Sequence, residues 1–207
     1  MQKQLAEILA QAGIVPVLVI NKVDDALPLA QALVEGGLNV LEVTLRTEAA
    51  LKAVEEIARH LPDAHVGTGT VLNAADLQRS VDAGATFMVS PGATETLLDA
   101  AENHEVPLLP GASTASEVMR LLERGYRYQK FFPAEAAGGV PMLKSLAGPL
   151  SQVQFCPTGG IGPGNAGDYL ALPNVICAGG SWMASAKLVE EKRWDEITRL
   201  AKGAAAL

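Results

Sequence analysis

The chain is short of aromatic residues, cysteine, histidine and positive charge. Only 4% of its residues are Phe, Trp or Tyr, although 49% are hydrophobic. A core must therefore come mainly from Ala, Val and Leu, which suits helices packed closely on a sheet. The two cysteines, Cys156 and Cys177, form neither a CxxC pair nor a zinc spacing and read as small buried thiols. The histidines His60, His65 and His104 are scattered, with no HExxH or paired-ligand pattern, so no metal site is expected. Lys and Arg total 16 against 23 Asp and Glu, a net charge of −7. That balance argues against a nucleic-acid partner but leaves room for a local anion site. Runs long enough to span a membrane are missing too; 14-IVPVLVI-20 falls far short. The first twenty residues carry Glu7 and no small-residue cleavage pattern, so no targeting segment is expected and the cytoplasm is the expected compartment.

What the chain does have is alternation. Short apolar runs at 15–20, 39–45, 64–70, 86–90, 107–111, 126–132, 152–160 and 174–180 read as strands. Between them lie helix-like stretches such as 25–37, where Leu27, Ala30, Leu33 and Val34 recur at helical spacing and Gly36-Gly37 supplies a stop. In 47–60, Thr47 can cap a helix, with Glu48 favourable in its first turn. Apolar strands alternating with helices predict a parallel sheet covered on its outside. Units of roughly 25 residues fit a compact (β/α)8 barrel in a single domain over 1–207, with an open doubly wound sheet as the alternative. No linker or low-complexity tract divides the chain.

Unusual residues gather where these strands end: Glu42 to Arg46, 67-GTGT-70, 90-SPG-92, 110-PGAST-114, Lys130 to Glu135, 158-TGGIGPG-164 and 179-GGSW-182. In α/β barrels the active site is built at that face. Lys130 sits in 126-YRYQKFFPAE-135, where four of the few aromatics cluster, and strand alternation puts Tyr126, Tyr128, Lys130 and Phe132 on one face. Inside a barrel, burial would favour the neutral amine, a nucleophile suited to a Schiff base with a carbonyl substrate. A stem on apolar surface with its head in water is the competing reading. Glu42, in an otherwise apolar strand, can serve as a general acid/base, and Arg46 can bind a carboxylate bidentately. A structural Glu42–Arg46 ion pair is equally consistent with that spacing. Thr68 and Thr70 can donate hydroxyls to a carboxylate or simply cap a strand end, and Pro91 and Pro110 shape turns. The glycines of 158–164 and 179–182 suit a phosphate approached by backbone N–H groups, or ordinary turns. His65 falls at a strand start and Trp182 reads as packing.

Together 41-LEVTLRT-47, 67-GTGTVL-72, 89-VSPG-92, 107-PLLPG-111, 130-KFFPAE-135, 157-PTGGI-161 and 179-GGSW-182 resemble the 2-keto-3-deoxy-6-phosphogluconate aldolase and 4-hydroxy-2-oxoglutarate aldolase family. The likeness runs from about Gly13 to the region of Leu188. It implies a class I aldolase on a (β/α)8 barrel with an extra N-terminal helix, no metal and no organic cofactor. By that likeness Lys130 is the Schiff-base lysine and Glu42 the general acid/base. Arg46 and Thr70 match positions that hold the pyruvyl carboxylate, while Pro91 and Phe132 line the pyruvate pocket. Gly159, Gly160, Gly180 and Ser181 match the phosphate end, and Thr158 a position associated with stereochemical choice at C4. The implied ligands are a 2-keto-3-deoxy sugar-acid phosphate and pyruvate, and the implied assembly is a homotrimer. The chain departs from the pattern in reading GTGT where relatives often read GAGT, and in lacking an arginine beside the first strand. A phosphogalactonate-type aldolase, a phosphate-binding isomerase and a non-catalytic sugar-phosphate binder are the alternatives.

Overall fold

The structure, a computed structural model, describes residues 2–207. Strands β1 (Ile14–Leu18), β2 (Val40–Thr44), β3 (His65–Gly69), β4 (Met88–Val89), β5 (Leu108–Leu109), β6 (Gly111–Ala112), β7 (Tyr128–Phe131), β8 (Gln154–Pro157) and β9 (Ala178–Gly180) all pair in parallel. Six of them form a sheet in the order β5-β4-β3-β2-β1-β9, and three form a second in the order β6-β7-β8. β5 and β6 are consecutive pieces of chain interrupted at Pro110, whose carbonyl still accepts the Lys130 N–H at 2.8 Å. The far edges meet through isolated bridges, Phe155 with Val175 and Thr158 with Gly179. The strands therefore curl into a barrel-like parallel sheet. Every proposed strand overlaps an observed one; Met88–Val89 and the stretch broken at Pro110 are shorter than their apolar runs suggested.

Helices α1 (Gln2–Leu9), α2 (Ala26–Glu35), α3 (Ala50–His60), α4 (Ala74–Asp82), α5 (Glu95–Ala101), α6 (Ala115–Glu123), α7 (Gly139–Ala147), α8 (Ala166–Leu170), α9 (Ala186–Glu190) and α10 (Trp194–Ala205) fill the intervals. Each longer helix buries one stripe, as in α3, where Ala50, Ala53, Val54 and Ile57 recur at i, i+3, i+4 and i+7. α2 ends at Gly36-Gly37 as its sequence predicts, Gly37 taking a φ of +92°. α3 does not start at Thr47. It begins at Ala50 behind Ala49, leaving Glu48 outside the helix, because the Thr47 hydroxyl instead donates to the Ile20 carbonyl at 2.5 Å.

Strand alternation sorts the core into two layers. Outward residues such as Leu41, Val43, Val66, Met88, Phe131 and Phe155 pack under the helices. Inward ones, including Val15, Val40, Phe87, Val89, Leu109, Cys156 and Cys177, form a smaller cluster completed by Leu5, Ile8 and Leu9 of α1. α1 thus lies under the end where strands begin. Gln2 accepts the N–H groups of Arg127 and Tyr128 at 3.0 and 3.3 Å, and Gln11 meets His65 at 3.2 Å. His65, first in β3, belongs to that stability end, as expected.

Candidate active site

Glu42 on β2 and Lys130 on β7 are inward residues 88 positions apart in sequence. The curl of the sheet brings Lys130 Nζ to 3.1 Å from Glu42 Oε1, with both residues about 95% or more buried, at 5% and 3% exposure. The pair settles two questions left open by the sequence. Glu42 pairs with Lys130 and not with Arg46, and the Lys130 side chain is buried against that carboxylate instead of extending into solvent. The aromatic surroundings are thinner than the sequence suggested. Phe132 lies under the ammonium, its ring centroid 5.4 Å from Nζ, and Tyr128 faces the inner cluster. Tyr126, however, precedes the strand and packs in the outer layer. The Glu42 carboxylate is the one hydrogen-bond partner of the Lys130 side chain among the described residues.

Two glycines give this pair and its neighbour Thr158 their space. A Cβ on Gly69 would collide with the Glu42 carboxyl group, and a Cβ on Gly179 would collide with the Thr158 hydroxyl. Sequence reasoning assigned no role to Gly69 and grouped Gly179 with the glycines that suit a phosphate; the signal for the packing role was glycine at an inward strand position, where a side chain would otherwise fill the barrel. Thr68, by contrast, points outward. Its hydroxyl donates to Ser80 Oγ at 2.8 Å, and Ser80 donates to the Asp76 carbonyl at 2.7 Å. It ties β3 to α4 and is not available to a carboxylate, which answers what the extra hydroxyl of GTGT does. Thr70, half-buried at the end of β3, holds a φ of +60°, a strained setting for a β-branched residue.

Above the pair, at the carboxyl ends of β1, β7, β8 and β9, lies a cavity of about 420 Å³. Of the residues expected there, Arg46, Phe132, Thr158, Gly159, Gly160, Gly180 and Ser181 line it. Lys130 and Glu42 do not line it directly; Phe132, which lines it and whose ring centroid lies 5.4 Å from Lys130 Nζ, connects cavity to pair. Thr70 and Pro91 sit outside its lining, the Pro91 carbonyl being packed where a Cβ on Gly111 would fall. Val17, Asn21 and Ile161 line the cavity without having been singled out. Trp182 also lines it while filling the space above Gly180, so it both packs and shapes the wall.

The electrostatics of the cavity are asymmetric. Arg46 makes no ion pair among the described residues; its Nε donates to Thr44 Oγ1 at 3.2 Å, which fixes the guanidinium and leaves its terminal nitrogens for a ligand. The Thr158 hydroxyl is buried with no hydrogen-bond partner among the described residues. Next to Thr158 in the lining, Gly159 and Gly160 take φ of +105° and +77°, a left-handed pair that needs glycine. Below the pair, Cys156 lies beside Lys130 in the ladder. A hydrogen bond from Cys177 holds the Cys156 thiol below its ordinary value against the effect of burial, while the same bond and burial push Cys177 well up. A buried lysine at hydrogen-bond distance from a carboxylate, beneath a cavity lined by one arginine and a run of glycines, can carry out carbonyl chemistry on an anionic substrate.

Comparison with known proteins agrees. A family model described as "Aldolase: KDPG and KHG aldolase" matches residues 5–200. The chain is 54% identical over 200 residues to the 2-dehydro-3-deoxy-phosphogluconate aldolase of Pseudoalteromonas atlantica, covering 97% of this chain and 93% of that one. It is 54% identical over 197 residues to the KHG/KDPG aldolase of Escherichia coli K12, covering 95% and 92%. Among solved structures, the KDPG aldolase of Legionella pneumophila, with pyruvate captured as a covalent carbinolamine, superposes with a TM-score of 0.95 at 48% identity, covering 97% of each chain. The Zymomonas mobilis aldolase with 3-phosphoglycerate gives 0.93 at 48% identity, covering 100% of this chain and 97% of that one. The chain, matched nearly end to end by sequence and by structure, belongs to the KDPG and KHG aldolase family.

Proposed function

We propose the following course for the reaction of this class I, Schiff-base aldolase. The observation that carries it is the buried Lys130–Glu42 contact of 3.1 Å beneath the cavity. Glu42 takes up the proton of Lys130, and the free amine attacks the C2 ketone of 2-keto-3-deoxy-6-phosphogluconate. The resulting carbinolamine loses its hydroxyl as water, Glu42 returning the proton, to give a protonated imine. Glu42, now a carboxylate again, takes the proton of the C4 hydroxyl, directly or through a water. The C3–C4 bond breaks, its electrons move into the imine to form an enamine, and glyceraldehyde 3-phosphate leaves. Glu42 returns that proton to C3 of the enamine, and hydrolysis of the resulting imine releases pyruvate and regenerates the amine.

In this reading Arg46 and Thr70 hold the pyruvyl carboxylate, and Pro91 and Phe132 enclose the pyruvyl group. Thr158, with its unpartnered hydroxyl, meets the substrate near C4 and influences the stereochemical choice there. Gly159, Gly160, Gly180 and Ser181 receive the phosphate. No step calls on a metal or organic cofactor. The catalytic unit is a single (β/α)8 barrel over residues 1–207, with β5 and β6 counted as one strand and α1 as an addition to the barrel. It works in the cytoplasm as a homotrimer, a state that analytical ultracentrifugation would report.

The glycine wall favours the phosphorylated substrate over 4-hydroxy-2-oxoglutarate, which follows the same chemistry without a phosphate to bind. Steady-state rates on both acids test this. The reading expects a higher kcat/KM for the phosphate ester, with the difference concentrated in KM. Equal values would move the assignment to the unphosphorylated acid.

A further inference from the structure

The Gly159–Gly160 turn is held by groups outside the cavity, and all of its carbonyls turn towards them. The Ala134 N–H donates to the Thr158 carbonyl at 2.8 Å, and the Glu135 N–H to the Gly159 carbonyl at 3.1 Å. Asn165 donates its side-chain amide to the Gly160 carbonyl at 3.1 Å and accepts the Gly162 N–H at 2.8 Å. The N–H groups of Gly160 and Ile161 find no protein acceptor among the described residues. Beneath Gly160 lies the stem of Glu135: a Cβ on Gly160 would fall 2.6 Å from Glu135 Cγ. The Glu135 carboxylate is turned the other way, towards α7 and α8, where Tyr169 Oη donates to its Oε1. Tyr169 is fully buried, and burial together with the adjacent carboxylate raises its phenol above the ordinary value, so the hydroxyl keeps its proton through neutral pH.

A carboxylate behind an anion-binding turn is a liability unless it is tethered. Free to rotate, it would place a second negative charge beside a bound phosphate and compete for the same N–H donors. Tethered, it buttresses the turn with its stem and keeps its charge on the far side. We propose that Tyr169, Glu135 and Asn165 are positioning residues that hold the Thr158–Gly160 carbonyls and the Glu135 charge away from the cavity, so that backbone N–H groups face the phosphate. This rests on the substrate assignment above and extends it to residues that do not touch the substrate.

The test is Tyr169→Phe, which removes only the hydroxyl, with Asn165→Ala as a second variant in an exposed loop. KM for the phosphorylated substrate should rise roughly 3- to 10-fold, the worth of one hydrogen bond, and inhibition by inorganic phosphate should weaken in parallel. The kcat on that substrate, and kcat/KM on 4-hydroxy-2-oxoglutarate, should stay within about 2-fold of the parent. Adding Glu135→Gln to Tyr169→Phe, which removes the untethered charge while keeping the stem, should restore most of the affinity that Tyr169→Phe loses. Equal losses on both substrates, or unchanged KM in both variants, would overturn the proposal while leaving the substrate assignment intact. A parent enzyme that is indifferent to substrate phosphate and uninhibited by inorganic phosphate would overturn both.

Discussion

Gly69 is the residue whose replacement reads out the site most economically. It contributes no atom to chemistry, yet the Glu42 carboxyl group occupies the space of its missing side chain. Gly69→Ala should push Glu42 from its 3.1 Å contact with Lys130. Overpacking of this kind costs about 1–3 kcal/mol in stability. On the proposed role of Glu42 as general acid/base, its displacement should lower kcat by a factor on the order of 10² or more, near the worth of such a group. Stopped-flow kinetics and a urea titration on the same variant separate the two effects; wild-type turnover in a destabilised protein would show that the contact is dispensable. At this scale the sequence was legible wherever a charged residue interrupted an apolar strand, as at Glu42 and Lys130. It was not legible where the message lay in a missing side chain, as at Gly69 and Gly179. Nor could it say that Thr68 faces outward, because only the register of β3 puts its hydroxyl against Ser80.

Between residues and barrel stand the elements, and α6 shows how their ends serve the site. It begins with a capping box in which Thr114 accepts the Glu117 N–H while Glu117 accepts the N–H groups of Ser113 and Thr114 at 2.8 and 2.9 Å. The box fixes the chain just after β6, which pairs with Lys130 and Phe131. Chiefly through the Ser113 N–H, with Thr114 adding, the Glu117 carboxyl is held below its ordinary value of 4.5. A carboxylate with a depressed folded-state value adds stability that is present above the unfolded value and fades as pH falls through the folded one. Glu117→Gln should therefore be less stable than the parent near neutral pH, with the gap closing as pH falls through and below the ordinary carboxylate range. Urea midpoints measured from pH 7 to acid test this, and a gap independent of pH would contradict it. Thr114-x-x-Glu117 is a sequence signature of such a start, whereas Thr47 has the same residue type and caps nothing. Its hydroxyl is claimed by Ile20, a neighbour brought close only by the fold.

The molecule as a whole makes one assembly that no local window contains. β2 and β7 are distant in sequence and not neighbours in the sheet order, so their inward side chains meet only because the sheet curls. Alternating strands and helices were readable from hydrophobic periodicity alone, since both faces of each strand are covered. The curl, the break at Pro110 and the seating of α1 under the inner cluster were not, because each depends on pairings between remote segments. The family resemblance assigned Lys130 and Glu42 to one reaction, and the distance between them gives that assignment its physical content. The most direct test is borohydride reduction in the presence of pyruvate, read by intact mass and peptide mapping, with a folded Lys130→Ala variant alongside. A reduced pyruvyl adduct on Lys130, absent from the variant, is the predicted result. Folded parent protein that forms no adduct, or carries it on another lysine, would contradict the account.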